Sequence, residues 1–136
     1  MRILLETNVF ISAVFFGGIP GKILEAWRDG NVHLVTSPEI LSEYAAVLDR
    51  LAAKRPGIDP NPILAFLTAH GTCLDAPELP EPVCDDPDDD KFFACAVTAG
   101  VALIVSGDAH LLTRSGYHDI AVLRPTEFIE QHPDLF

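Results

Sequence analysis

The chain has 136 residues, of which 49% are apolar, so it has the size of one domain and can bury a core without disulfide staples. Nine basic and 20 acidic residues give a net charge of −11, which argues against a nucleic-acid binder with a basic face but leaves open a nucleic-acid enzyme whose carboxylates hold metal ions. Three cysteines without a Cys-x-x-Cys pair exclude a disulfide framework and a cysteine-rich zinc site.

The start of the chain lacks the features of a targeting or membrane segment. Glu6 interrupts the apolar stretch that a signal peptide would need for its hydrophobic region. The apolar run from Val9 to Phe16 is far shorter than the roughly 20 residues of a membrane span. We therefore expect a cytoplasmic protein that does not associate with a membrane.

Short runs that are apolar throughout predict the strands, because a strand buried on both faces of a parallel sheet has no polar alternation. Such runs occur at residues 2–5, 32–35, 72–74, 102–105 and 120–123. The run at 102–105 is the clearest of them, and the run at 72–74 is the weakest.

Between the strands, apolar residues at helical spacing predict helices, and capping residues, proline and glycine mark their ends. The predicted helices cover residues 9–16, 20–29, 38–53, 60–69 and 92–99, a short segment around 111–112, and a last helix from 125. Residues 76–89 are rich in Pro and Asp and are predicted to be a loop. The alternation predicts a single three-layer α/β/α domain over residues 1–136, with a mostly parallel sheet of four or five strands.

Four acidic residues lie where such a sheet carries its functional site, beyond the carboxyl ends of the strands or near the helix starts. They are Glu6, Glu43, Asp90 and Asp108. Adjacent polar residues can donate hydrogen bonds to these carboxylates or to their ligands, namely Thr7, Asn8 and Ser106. We expect the four carboxylates to converge on one site.

Like charges that share a site are tolerated only through protonation or a bound cation. Oxygen ligands with no His or Cys beside them favour Mg²⁺ or Mn²⁺ over zinc. Two such ions would balance four carboxylates, and they would also activate water and stabilise an oxyanion leaving group. The acids therefore predict phosphodiester hydrolysis with Mg²⁺ or Mn²⁺ as cofactor.

Several stretches, taken in order, resemble the PIN-domain ribonucleases, in particular the VapC-like toxin components of bacterial toxin–antitoxin pairs. The resemblance rests on RILLETNVFISA, SPEILSEYAAVL, DPDDDKFFACAVTAG, ALIVSGDAHLL and VLRPTEFIE. It implies a PIN-like fold, cleavage of an RNA substrate, and metal binding by Glu6, Glu43, Asp90 and Asp108. It also implies a homodimer and a cognate antitoxin that blocks the acidic site.

One residue of the predicted site departs from the family pattern. The family has Asp after the first strand, where this chain has Glu6. The extra methylene moves the carboxylate by about 1.5 Å at full extension, and Mg²⁺ tolerates little change in ligand position. Reduced activity is the expectation. The alternative function is a catalytically weak or inactive PIN domain that binds a protein or RNA partner.

Two local questions stay open in the sequence. Asp90 belongs to a run of acids, so Asp86 or Asp89 can share its role, although the spacing from Asp90 to Asp108 is the one that the family pattern favours. A calcium loop in this run is excluded, because Lys91 stands where such a loop needs Gly. The basic residues at the end of the third helix fit either a phosphate contact or a solvated helix end equally well; they are Arg50, Lys54 and Arg55.

Overall fold

A five-stranded parallel sheet forms the centre of the computed structural model, which describes residues 1–55 and 57–136. The strands are β1 (Arg2–Leu5), β2 (His33–Thr36), β3 (Thr72–Cys73), β4 (Leu103–Val105) and β5 (Ala121–Leu123). Their order across the sheet is β3-β2-β1-β4-β5, and every neighbouring pair is parallel. The prediction of a mostly parallel sheet of four or five strands is confirmed.

Seven α-helices connect and cover the strands within the described residues, and the fold is a three-layer α/β/α arrangement. They are α1 (Thr7–Phe16), α2 (Gly18–Arg28), α3 (Pro38–Ala52), α4 (Asn61–His70), α5 (Asp90–Ala99), α6 (Ala109–Leu112) and α7 (Pro125–Gln131). Short 3-10 turns lie at Pro87–Asp89, Tyr117–Asp119 and Pro133–Leu135. Each predicted strand and helix is present.

The observed limits differ from the predicted ones by a few residues, for reasons that the caps explain. The first helix begins at Thr7 rather than Val9, because the Glu6 side chain caps it by accepting a hydrogen bond from the Asn8 backbone N–H. The fifth helix begins at Asp90 rather than Phe92, because a 3-10 turn leads directly into it. The helix predicted at 38–53 covers Pro38–Ala52, with Ser37 as its cap.

The order in which strands are added to the sheet reverses at β1: β2 and β3 lie on one side of it, and β4 and β5 lie on the other. Such a reversal opens a crevice at the carboxyl ends of the two strands that flank it. The ladder extends beyond the strands there, because the Glu6 backbone N–H donates to Val105 O at 3.0 Å and the Ser106 N–H donates to Leu123 O at 2.9 Å. The residues after β1 and β4 therefore have fixed backbone positions.

The core lies between the sheet and its helices, and the central strand β1 is its most deeply buried part. Ile3, Leu4 and Leu5 are at most 1% exposed, as expected for a run with no polar alternation. Phe10 and Tyr44 stack with ring centroids 4.4 Å apart, which joins α1 to α3. Among the described residues no single helix is long and apolar enough to cross a membrane, and only α1 and α2 taken together, bent by 93°, pass by length and composition.

Candidate active site

Glu6 is the most deeply buried acid at the carboxyl end of the sheet. It follows β1 directly and is 5% exposed. Its Oε2 accepts a hydrogen bond from the Asn8 backbone N–H at 2.5 Å, and its Oε1 accepts one from the Ser106 hydroxyl at 3.3 Å. The side chain of Glu6 therefore turns back to cap α1. The expected displacement of its carboxylate by about 1.5 Å applies to a fully extended side chain, which this is not.

Burial raises the pKa of Glu6 to about 7. The hydrogen bonds from Asn8 and Ser106 lower this pKa, whereas the negative charges of Asp108 and Asp89 raise it. A carboxylate that is buried beside like charges gains from a nearby cation, because the cation offsets both the lost hydration and the repulsion.

Asp108 follows β4, and the side chain of Ser106 connects it to Glu6 by hydrogen bonds. The fully buried Ser106 Oγ accepts a hydrogen bond from the Asp108 backbone N–H at 3.0 Å. Asp108 in turn caps α6, because its Oδ1 accepts from the His110 N–H at 2.8 Å. The ends of β1 and β4 thus bring two of the four predicted acids and the predicted support residue Ser106 together.

The acidic run before α5 contributes Asp89 to this charge cluster. Burial raises the pKa of Asp89, and the charges of Asp108 and Asp86 raise it further, while Lys91 and His110 lower it. Asp89 also acts on the pKa of Glu6. These mutual effects link Asp89 electrostatically with the acids that follow β1 and β4.

Asp90 is bound to the preceding loop. Its carboxylate accepts hydrogen bonds from the backbone N–H groups of Cys84, at 2.7 Å, and Val83, at 3.3 Å. Both of its oxygens thus hold a loop against the start of α5. The role of Asp90 as a metal ligand stays a prediction, and its observed contacts are structural.

Glu43 projects from α3 and has contacts on both carboxylate oxygens. The hydroxyl of the buried Thr7 donates a hydrogen bond to Oε2, and the ammonium of Lys91 lies 3.0 Å from Oε1. The predicted support residue Thr7 therefore contacts a predicted site acid. The role of Glu43 as a metal ligand stays a prediction as well.

Two grooves open near these side chains. The first, about 360 Å³, lies at the ends of β1 and β4. Its lining includes Glu6, Asn8, Ser12, Gly107 and Asp108. The second, about 370 Å³, lies along the start of α5 and the Pro-rich loop before it. Because Glu6 and Asp108 line the first groove, a ligand that enters it can approach the charge cluster.

Comparison with known proteins identifies the family. The PIN-domain family matches residues 2–110, which is most of the chain. The chain belongs to the PIN-domain family. An uncharacterized protein of Methanocaldococcus jannaschii is 34% identical over 143 residues, which covers 96% of this chain and 91% of that protein. No solved structure gives a significant match. PIN domains are in general nucleases and typically use divalent metal ions.

The acids of this PIN domain fit a hard divalent cation by donor type and by charge. Glu6, Asp89 and Asp108 offer carboxylate oxygens, which Mg²⁺ and Mn²⁺ prefer. The pKa of Glu6 is raised first by burial and then by the charges of Asp108 and Asp89, and a bound cation would offset both effects. In residues 1–55 and 57–136, no group of three or more His, Cys, Asp or Glu side chains is already close enough to hold an ion. The carboxylates must therefore move closer together to share one.

Sequence reasoning missed Lys91 and Tyr44 as parts of this site. Lys91 is a cation directly after the run of acids, and that contrast of charge was the available signal. Tyr44 has the spacing of a core residue, but its hydroxyl donates a hydrogen bond to the Leu5 carbonyl, at the end of β1. The basic residue Arg55 lies 4.6 Å from the ring centre of Phe16, which is a packing contact rather than a site contact.

Proposed function

We propose that this PIN domain is a divalent-metal-dependent endoribonuclease whose centre lies at the carboxyl ends of β1 and β4. The observation that carries the proposal is the environment of Glu6, a carboxylate 5% exposed whose pKa is raised to about 7 by burial and by the neighbouring acids. A bound Mg²⁺ or Mn²⁺ would stabilise the ionised form of a carboxylate that is buried beside other acids. Family membership supports the nuclease chemistry in general.

Glu6, Asp89 and Asp108 are the residues that we propose to hold the cation. When bound, it would neutralise their charge, lower the pKa of a water and stabilise the charge that develops on the scissile phosphate. Ser106 keeps Glu6 and Asp108 in register through its two hydrogen bonds. The side chain of Asn8 is exposed at the groove and is positioned to donate hydrogen bonds to a substrate phosphate.

The test is cleavage by the purified full chain of end-labelled RNA and of a DNA with the same sequence, with Mn²⁺ or with EDTA. Internal cuts in the RNA alone, and only with Mn²⁺, are the expected result. Cleavage that persists in EDTA would contradict the proposed metal dependence. Cleavage of DNA at an equal rate would contradict the choice of RNA as substrate.

A binding module with weak or no catalysis is the second candidate. It is favoured by the presence of Glu6 where the family pattern has Asp, and by the separation of the acids. This candidate predicts a gel shift of RNA or capture of a protein partner with no cleavage in Mn²⁺. The cleavage and binding assays on one preparation of the protein separate the two functions.

We extend the proposal to a toxin of a type II toxin–antitoxin pair, acting in the cytoplasm as a homodimer. The resemblance of the sequence motifs to VapC-like toxins supports this role. An antitoxin segment that carries Arg would suit the acidic groove, because a guanidinium pairs with carboxylates through two hydrogen bonds. Co-expression with the product of the adjacent reading frame should give a stable complex with suppressed cleavage, and absence of a complex would contradict the toxin role.

A further inference from the structure

Lys91 is held on the acidic cluster by three contacts. Its ammonium lies 3.0 Å from Glu43 Oε1, and the two side chains are 21% and 34% exposed. The same ammonium donates a hydrogen bond to the Asp88 carbonyl and lies 5.1 Å from the ring centre of Phe92. A surface lysine is normally mobile, so this set of contacts fixes a positive charge at a defined position.

The other oxygen of Glu43 is also engaged. The Thr7 hydroxyl donates a hydrogen bond to Oε2, and Thr7 is itself 5% exposed at the start of α1. One oxygen of Glu43 therefore meets a cation and the other meets a neutral donor. A carboxylate satisfied in this way has little to gain from a further positive charge.

We propose that the Lys91 ammonium takes the place of a second metal ion beside Glu43, so that the centre binds one divalent cation, at Glu6, Asp89 and Asp108. This inference rests on the proposed function. The charges agree with this proposal. One divalent cation and the Lys91 ammonium together offset three of the four negative charges that the carboxylates of the proposed centre carry when ionised; these are Glu6, Glu43, Asp89 and Asp108. Lys91 is thus a positioning residue that sets how many metal ions the site holds.

Calorimetric titration of the metal-free full chain with Mn²⁺ measures how many ions each chain binds. A purely structural role of Lys91 would not change this number, so the measurement tests the inference. We expect one Mn²⁺ per chain for the wild type and two for Lys91→Met, because the substitution frees Glu43. Lys91→Gln provides a second neutral variant in case Lys91→Met folds poorly. Lys91→Arg keeps the positive charge, so it should bind one.

Two further variants serve as controls. Arg114→Met removes a cation whose pairing with Asp85, at 3.7 Å, is exposed and does not involve Glu43, so this variant should still bind one Mn²⁺. The double variant Lys91→Met/Glu43→Gln should return from two ions to one, because the second ion depends on Glu43. Arg114→Met lowers the net charge by the same amount as Lys91→Met, so a general charge effect would appear in it as well, whereas the double variant has the net charge of the wild type.

The outcomes separate the inference from the function on which it rests. Two Mn²⁺ ions bound by the wild type would overturn the role of Lys91 and leave the metal centre intact. One ion bound by both Lys91→Met and Lys91→Gln would also overturn it. No Mn²⁺ bound by the wild type would contradict the proposed function itself.

Discussion

Ser106 donates a hydrogen bond from its hydroxyl to Glu6 Oε1 at 3.3 Å, so the residue after β4 directly supports the acid after β1. The same hydroxyl accepts from the Asp108 N–H at 3.0 Å. One fully buried side chain therefore couples both acids at the reversal point of the sheet. The coupling explains how two residues far apart in sequence share one charge cluster.

Replacement of Ser106 should weaken both folding and metal binding. Ser106→Ala leaves the Asp108 N–H and Glu6 without this partner, and we expect a loss of about 1–2 kcal/mol in the free energy of unfolding and a smaller Mn²⁺ response. Ser115→Ala is the matched control, since its hydroxyl accepts from the Val122 N–H at 2.9 Å outside the site. Urea unfolding with and without Mn²⁺ measures both effects. An equal Mn²⁺ response in the two variants would exclude a role for Ser106 in the site.

The stability of the metal-free protein should fall as pH rises through neutrality. The folded state holds a proton on Glu6 more tightly than the unfolded chain, because the pKa is raised from 4.5 to about 7. The contribution is complete below about pH 4.5 and is lost as pH rises through about 7, with an amplitude of about 3 kcal/mol. Urea unfolding in EDTA at about pH 5 and pH 8 measures it. Glu6→Gln should lack this part of the change in the free energy of unfolding with pH. An equal change in Glu6→Gln and the wild type would contradict the assignment of this pH dependence to Glu6.

Asp89 and Asp90 should respond differently to substitution. Mn²⁺ at about 100 times its Kd should stabilise the wild type by about 2.7 kcal/mol, seen as a higher Tm. Asp89→Asn should lose most of this increase, whereas Asp90→Asn should keep it, because an Asn oxygen still accepts from the Cys84 N–H. The exposed Asp88→Asn is the control. If Asp90→Asn alone loses the increase in Tm with Mn²⁺, the metal ligand is Asp90, which is the residue that the sequence spacing favours.

Replacement of Glu6 by the shorter aspartate should raise the rate of RNA cleavage. Aspartate is a favourable helix cap, so Glu6→Asp can retain the bond from the Asn8 N–H and leave folding intact. A displacement of about 1 Å in an active site costs on the order of a hundredfold in rate, so the position that suits the family's Asp should give faster Mn²⁺-dependent cleavage of RNA. Glu6→Gln should cleave more slowly than the wild type. Cleavage by Glu6→Asp below that of the wild type would mean that the site has adapted to glutamate.

The position of the candidate site at the ends of β1 and β4 could be predicted from sequence, because the signals for these strands are local. The apolar runs before Glu6 and Asp108 identify β1 and β4 without any knowledge of tertiary contacts. Parallel strands in an alternating order then bring their carboxyl ends to one edge. The fold class and the approximate location of these two acids follow from that reasoning alone.

The partners of the remaining acids could not be predicted, because they depend on contacts between distant segments. The binding of Asp90 by the Val83 and Cys84 N–H groups depends on the path of an irregular loop. The pairing of Glu43 with Lys91 depends on how α3 packs against α5. Neither the loop path nor the helix packing has a local signature in the sequence.

Cleavage of RNA by Asp108→Asn tests the central claim most directly. The measurement is the initial rate of Mn²⁺-dependent cleavage by purified wild type, Asp108→Asn and the surface control Asp88→Asn, with folding checked by Tm. If the acids after β1 and β4 form the metal centre, Asp108→Asn should lose on the order of a hundredfold in rate while Asp88→Asn retains the wild-type rate. A folded Asp108→Asn that cleaves RNA as fast as the wild type would contradict the account.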